Sequence, residues 1–126
     1  MSIQDELAAI NEKFVAAFAN QDLDSVMDAF SEDAVFLVPG RRLISGRPAI
    51  ERIFRGMTAS EPIAFRWETV QMFESGDLVV EVAREWFRGA GDETEAPWKY
   101  VAVYRRENGV LKVLVDAAMP EVEGTG

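Results

Sequence analysis

Apolar residues recur with a helical period through the first half of the chain and with a period of two through the second. Ile3, Leu7, Ile10, Phe14 and Phe18 stand four, three, four and four residues apart, which gathers them on one stripe of a helix. Ser2 is placed to cap that helix, and Asp5 lies near the positive end of its dipole. Asn20-Gln21-Asp22 interrupts the pattern, and Asp22 can cap a second helix in which Leu23, Val26, Met27 and Phe30 share a face. On that reading Asp24, Asp28, Glu32 and Asp33 form its solvated side. Val35-Phe36-Leu37-Val38 predicts a buried strand that Pro39-Gly40 ends, with a short returning partner from Arg42 to Ser45. Gly46-Arg47-Pro48 opens a third helix, because a proline in the first turn sacrifices no hydrogen bond. That helix offers Ile50, Ile53, Phe54 and Met57 to the interior.

From residue 62 onward the pattern is that of strands. Phe65, Trp67, Thr69, Gln71 and Phe73 alternate with Arg66, Glu68, Val70 and Met72 up to a turn at Glu74-Ser75-Gly76-Asp77. Leu78 to Arg88 has two faces, one with Val80, Val82, Arg84 and Trp86, the other with Val79, Glu81, Ala83, Glu85 and Phe87. Gly89 to Pro97 reads as an acidic loop. Trp98 to Arg106 and Val110 to Met119 form a hairpin through Asn108-Gly109, a pair that tolerates positive φ. Three helices followed by meander strands predict an α+β domain, with the helices on one face of a strongly curved antiparallel sheet. Such a sheet leaves a concave, mostly apolar internal pocket. Residues 1–120 are expected to be one domain and 121–126 a flexible tail.

Composition narrows the chemistry. The chain has 126 residues, 48% of them apolar, which suffices for a real core. Its net charge of −9 disfavours nucleic acid and anionic membrane surfaces as partners. With no apolar run long enough to span a bilayer and acidic residues Asp5 and Glu6 where a signal peptide needs positive charge, a cytoplasmic address is expected. The chain holds neither cysteine nor histidine, so no thiolate, imidazole base, catalytic triad or usual zinc site can be built from it. Proton transfer would fall to carboxylates, tyrosine, lysine or water. No glycine-rich phosphate loop is present: Gly89-Ala90-Gly91 precedes acidic residues. No cofactor and no metal site are read from the sequence.

Two segments, AAFANQDLDSVMDAFSEDAVF and YVAVYRRENGVLKVLVDAAMP, resemble the nuclear transport factor 2-like superfamily, in particular its SnoaL-like branch. The resemblance implies a cystatin-like cone with an apolar pocket, and a homodimer formed through the outer face of the sheet. It also implies where ketosteroid isomerases of this superfamily carry their polar groups. Phe14 stands at the tyrosine of the first helix, Val38 at the aspartate base before Pro39, and Val103 near the second acid. Since none of these side chains takes or gives a proton, isomerisation by that mechanism is not expected. The Asp-Arg-Asp set of limonene epoxide hydrolase also fails, because Glu85 and Trp86 follow Arg84.

What remains is Asp116, which the family commonly turns to its pocket, and Arg84 on the Val80–Trp86 face. They are candidates for an acid–base group with its electrostatic partner, or else for a structural ion pair. The pocket itself is expected to be lined by Phe14, Phe18, Phe36, Val38, Phe54, Trp67, Val82, Trp86 and Val103. Val79, Phe87, Tyr100 and Tyr104 are expected on the outer face, and Trp98 with the two tyrosines. Three functions fit: a domain binding a small apolar or amphipathic molecule, an acid–base enzyme of the cyclase, lyase, isomerase or hydrolase type using Asp116 with Arg84, and a dimerisation module whose cavity is incidental.

Overall fold

A computed structural model of the chain describes residues 2–59 and 61–122. Helix α1 spans Ile3–Ala19 and α2 Leu23–Asp28; strands β1 (Phe30–Leu37) and β2 (Ile44–Ser45) precede α3 (Arg47–Thr58). Four long strands follow: β3 (Ile63–Ser75), β4 (Leu78–Gly89), β5 (Ala96–Glu107) and β6 (Val110–Pro120). The six strands form one sheet in the order β2-β1-β6-β5-β4-β3. Every pairing is antiparallel except β1 with β6, which run parallel because α3 and the long meander separate them in the chain. The fold is α+β and cystatin-like, a curled, unclosed sheet with helices on its concave side.

Local chemistry sets the boundaries. The Ser2 hydroxyl accepts the Asp5 N–H at 3.1 Å and caps α1. Asp22 accepts the Ser25 N–H at 3.2 Å and caps α2. Gly46 precedes α3 at φ +90°, a backbone conformation only glycine adopts without strain. Asn108 and Gly109, at φ +51° and +83°, close the β5–β6 hairpin as their sequence requires.

Two stretches depart from the expected pattern. Phe30 does not extend α2: that helix stops at Asp28, the Ala29 carbonyl accepts the N–H of Val113, and Phe30 opens β1 opposite Val113. Pairing with β6 outcompetes one more turn of a six-residue helix. Glu32 and Asp33 are therefore exposed strand residues rather than a helix face. In β3 the register with β4 shifts between Thr69 and Gln71. This bulge inserts Val70 as an extra residue and reverses the alternation, so Phe65, Trp67 and Met72 pack on the core while Phe73 is exposed.

Beyond β6, the Glu121 N–H donates to Pro97 at 3.0 Å. The rest of the predicted tail, residues 123–126, lies outside the described residues. Among the described residues no helix is long and apolar enough to cross a membrane.

Candidate functional site

The hollow of the cone measures about 590 Å³, within the range of small-molecule sites. Its apolar wall is a belt of phenylalanine rings. Phe18 meets Phe65 and Phe87 edge-on at 5.7 and 6.0 Å, and Phe36 stacks on Phe54 at 5.5 Å. Helices α1 and α3 supply Phe14, Phe18 and Phe54, while β1 supplies Phe36 and, just beyond its end, Val38. The space exists because small side chains hold the centre of the sheet. Ala102 and Ala118 line it from β5 and β6 and leave the rings with little opposite.

The rungs of the sheet place the polar groups. Met72, Glu81, Ala102, Asp116 and Phe36 form one rung, and Thr69, Ala83, Tyr100 and Ala118 the next. Trp67, Glu85, Trp98 and Pro120 form the third. The chain's turn after β1 brings Pro39 and Arg41 to the Pro120 end, which marks the mouth of the cone. Glu85 is therefore nearer the mouth and Asp116 deeper.

Glu81 has no exposed surface, and three hydroxyls converge on it: Thr69 at 2.6 Å, Tyr104 at 2.8 Å and Tyr100 at 3.1 Å. This is how a carboxylate is satisfied where no cation reaches it. Burial, reinforced by the Glu81 charge, pushes the phenols of Tyr100 and Tyr104 far above their ordinary range, so both remain donors.

Asp116 and Glu85 differ from Glu81 in having no hydrogen-bond or ion-pair partner among the described residues. Asp116 is half-buried and lines the hollow; burial first, then the charge of Glu81, raises its pKa to about 7. Glu85 lies between the indole strands' Trp67 and Trp98. Burial there, with the charges of Asp116 and Glu81, raises its pKa to about 8. Both carboxyls therefore exchange protons near neutrality, as acid–base groups must.

Asn11 completes the wall. It is 2% exposed, and its amide nitrogen finds no hydrogen-bond partner among the described residues. No group of acidic residues among those described is arranged to hold a metal ion.

Five of the expected lining residues, Phe14, Phe18, Phe36, Val38 and Phe54, stand on the wall with Asp116. Trp67, Val82, Trp86 and Val103 do not. Arg84 is also outside: it points to solvent and pairs with Glu121 at 3.2 Å, far from Asp116 in role. For Val82, Trp86, Val103 and Arg84 the cause is the phase of β4 and β5, which is opposite to expectation; Trp67, on β3, packs on the core but lines a separate groove beside α1 with Leu7 and Met72. Val79, Phe87, Tyr100 and Tyr104 face inward, and Trp98 joins the wall instead of the outer surface. The face of β4 bearing two glutamates is the buried one because hydroxyls satisfy Glu81 and because Ala83 and Phe87 fit the cone. Trp86 instead packs outside under Arg66, whose guanidinium carbon is 3.8 Å from the ring centroid.

Sequence reasoning passed over Glu81, Glu85 and Asn11. For Asn11 a signal existed: it falls four after Leu7 and three before Phe14, a polar residue on an otherwise apolar stripe.

A family model for the SnoaL-like domain matches residues 11–113. The chain belongs to the SnoaL-like domain family. No curated protein matches it. Among solved structures it is similar to a candidate calcium/calmodulin-dependent protein kinase type II association domain from Thiobacillus denitrificans, at 25% identity and TM-score 0.77, covering 91% of this chain and 94% of that one. A candidate dehydratase of the nuclear transport factor 2-like family from Streptomyces avermitilis superposes with TM-score 0.81 at 18% identity, covering 94% and 96%. A protein of unknown function with a cystatin-like fold from Nostoc punctiforme gives 0.80 at 11%, covering 94% and 90%. At the last two identities the likeness is one of fold alone. This SnoaL-like domain thus shares a scaffold on which the wall residues, not the fold, decide the chemistry.

Proposed function

We propose that this SnoaL-like domain binds a small, mostly apolar organic molecule inside its cone. The observation that carries the reading is the hollow of about 590 Å³ walled by phenylalanine rings and left open by the small side chains of Ala102 and Ala118. A cavity of this kind in a core that is otherwise close-packed forgoes contacts that a ligand would supply. The neutral dye N-phenylnaphthylamine, which brightens in apolar surroundings, tests it. The wild type should enhance its fluorescence saturably, and Ala118→Leu, which fills the hollow, should not. Equal enhancement by both proteins would remove the reading.

A second reading, acid–base catalysis on the bound molecule, is favoured by the two unpaired carboxyls. An ionised Asp116 can take a proton from the ligand while a protonated Glu85 gives one to an oxygen, and the Asn11 amide can donate to a carbonyl. Arg84 has no part in this version. Deuterium uptake from heavy water into a panel of cyclic ketones, followed by proton NMR, distinguishes it. Uptake that disappears in Asp116→Asn supports catalysis, and uptake that persists unchanged rejects it.

We further propose that a second copy of the chain covers the outer sheet face. Its support is two rungs of aliphatic residues, Val82-Val101-Ala117 and Val80-Val103-Val115, with Val101 40% exposed at their centre. The adjoining rung of Glu68, Arg84 and Lys99 carries both signs of charge, as a self-complementary contact requires.

A further inference from the structure

The wall of the cone is asymmetric in charge. On β4 and β6 stand Glu81, Glu85 and Asp116, and β5 adds the phenols of Tyr100 and Tyr104. Helices α1 and α3 contribute no charged side chain to the wall. The cation it does include is Arg41, exposed on the turn at the mouth. Glu81 is satisfied by its three hydroxyls, but Glu85 and Asp116 meet no donor. The buried Asn11 amide, on the opposite helix, lacks a partner as well. Two unmet carboxyls and an unmet amide donor around one apolar hollow describe a ligand by its complement: a hydrocarbon body, a positive polar end and an acceptor atom.

Resting on the pocket reading above, we propose that the ligand is an amphipathic amine, bound as its ammonium ion on the acidic side of the wall that Glu85 and Asp116 form, with its hydrocarbon body among the phenylalanine rings. An ammonium has three donors and a charge, so it can pair with an otherwise unpartnered carboxylate and offset the negative charge of that side of the wall. The unmet Asn11 Nδ2 is a donor, and it would take an acceptor atom elsewhere on the same ligand. An anionic ligand would meet like charge, and a neutral one would leave both carboxylates unpaired whenever they ionise. The overall charge of −9 concentrates cations near the surface and so favours the same class.

Binding is then linked to protons. With no cation in the hollow, burial raises both pKa values, helped by the charge of Glu81 at Asp116 and by those of Asp116 and Glu81 at Glu85, so both carboxyls are partly protonated at neutral pH. When an ammonium enters it keeps its own proton, and the carboxyls lose theirs to the buffer.

Titration calorimetry with phenylbutylamine, phenylbutanol and phenylbutanoate at pH 7.5, in phosphate and in Tris, tests this. These probes share one hydrocarbon body and differ in charge. The amine should bind at least about tenfold more tightly than the alcohol, the carboxylate should bind more weakly than either, and the two buffers should reveal proton release with the amine alone. Glu85→Gln with Asp116→Asn should bring the amine down to the alcohol's affinity and abolish the proton release. An alcohol that binds as well as the amine overturns the amine assignment and leaves the pocket reading standing. Failure of all three probes removes both. Because the decisive comparison is made on the unaltered protein, a variant that misfolds cannot obscure it.

Discussion

Glu81 and Asp116 occupy the same rung of the sheet with only Ala102 between them, yet their environments are opposite. Three hydroxyls surround the first. The second has an apolar hollow before it and no donor beside it. One side chain is thereby a fixture of the core and the other a group free to gain or lose a proton. The charge of Glu81 acts across Ala102 to help hold the Asp116 proton on.

This gives a pH dependence with a definite sign. Asp116 rises from an ordinary 3.8 to about 7 in the fold, so the folded protein binds a proton that the unfolded chain has already released. The associated stability is fully present below about pH 4 and is lost as pH rises through about 7, at roughly 1.4 kcal/mol per pH unit in between. Asp116→Asn abolishes the loss. It should raise the melting temperature by about 5 °C or more at pH 8.5 and change it little at pH 4.5, as read by calorimetry. A uniform shift at both pH values would contradict the assignment.

Glu81 should behave as a structural residue. Glu81→Gln replaces one acceptor oxygen by a donor amide facing hydroxyls already engaged, and about 2–4 kcal/mol of unfolding free energy should be lost. Tyr104→Phe, which leaves the carboxylate two donors, should cost about 1.5–3 kcal/mol. Urea titrations of the two variants give both numbers.

Filling the hollow should separate binding from folding. Ala118 is 8% exposed, beside Tyr100 on its rung, and the space before it can accept a larger side chain. Ala118→Leu should change stability by less than about 1.5 kcal/mol while abolishing dye binding. Guanidinium unfolding beside the fluorescence titration measures the two effects.

Arg84 should be dispensable. Its guanidinium is 47% exposed and bonded to the half-buried Glu121, an arrangement worth little in water. Arg84→Ala should alter stability by less than about 0.5 kcal/mol and leave probe affinity unchanged. A severe loss of either would place the residue nearer the pocket than its geometry does.

The outer face predicts an association state. Sedimentation of the wild type at micromolar concentration should give twice the 14.1 kDa chain mass, and Val101→Glu should give the single-chain mass with its melting curve still cooperative. A single-chain mass for the wild type would leave the valine rungs without the proposed occupant.

The linear pattern of residues determined most of what is helix and what is strand, because caps, turn glycines and hydrophobic period are local; the exception is the stretch from Phe30 to Asp33, where pairing with β6 overrides the helical period. Ser2, Asp22, Gly46 and Asn108-Gly109 each act within a few residues of themselves, and each is found acting so. The absence of histidine and cysteine likewise restricted the available proton carriers to a short set that includes Asp116. Which face of β4 and β5 turns inward was not a local matter. Both faces of β4 alternate apolar residues with charge, and a single-residue change of phase exchanges Arg84 and Trp86 for Glu85 and Phe87. Only the assembled sheet offers Thr69, Tyr100 and Tyr104 from neighbouring strands to Glu81, and so satisfies a carboxylate on the buried face of β4. Those hydroxyls are 12 to 23 residues away along the chain, and it is their convergence in space that decides which carboxyls meet the hollow.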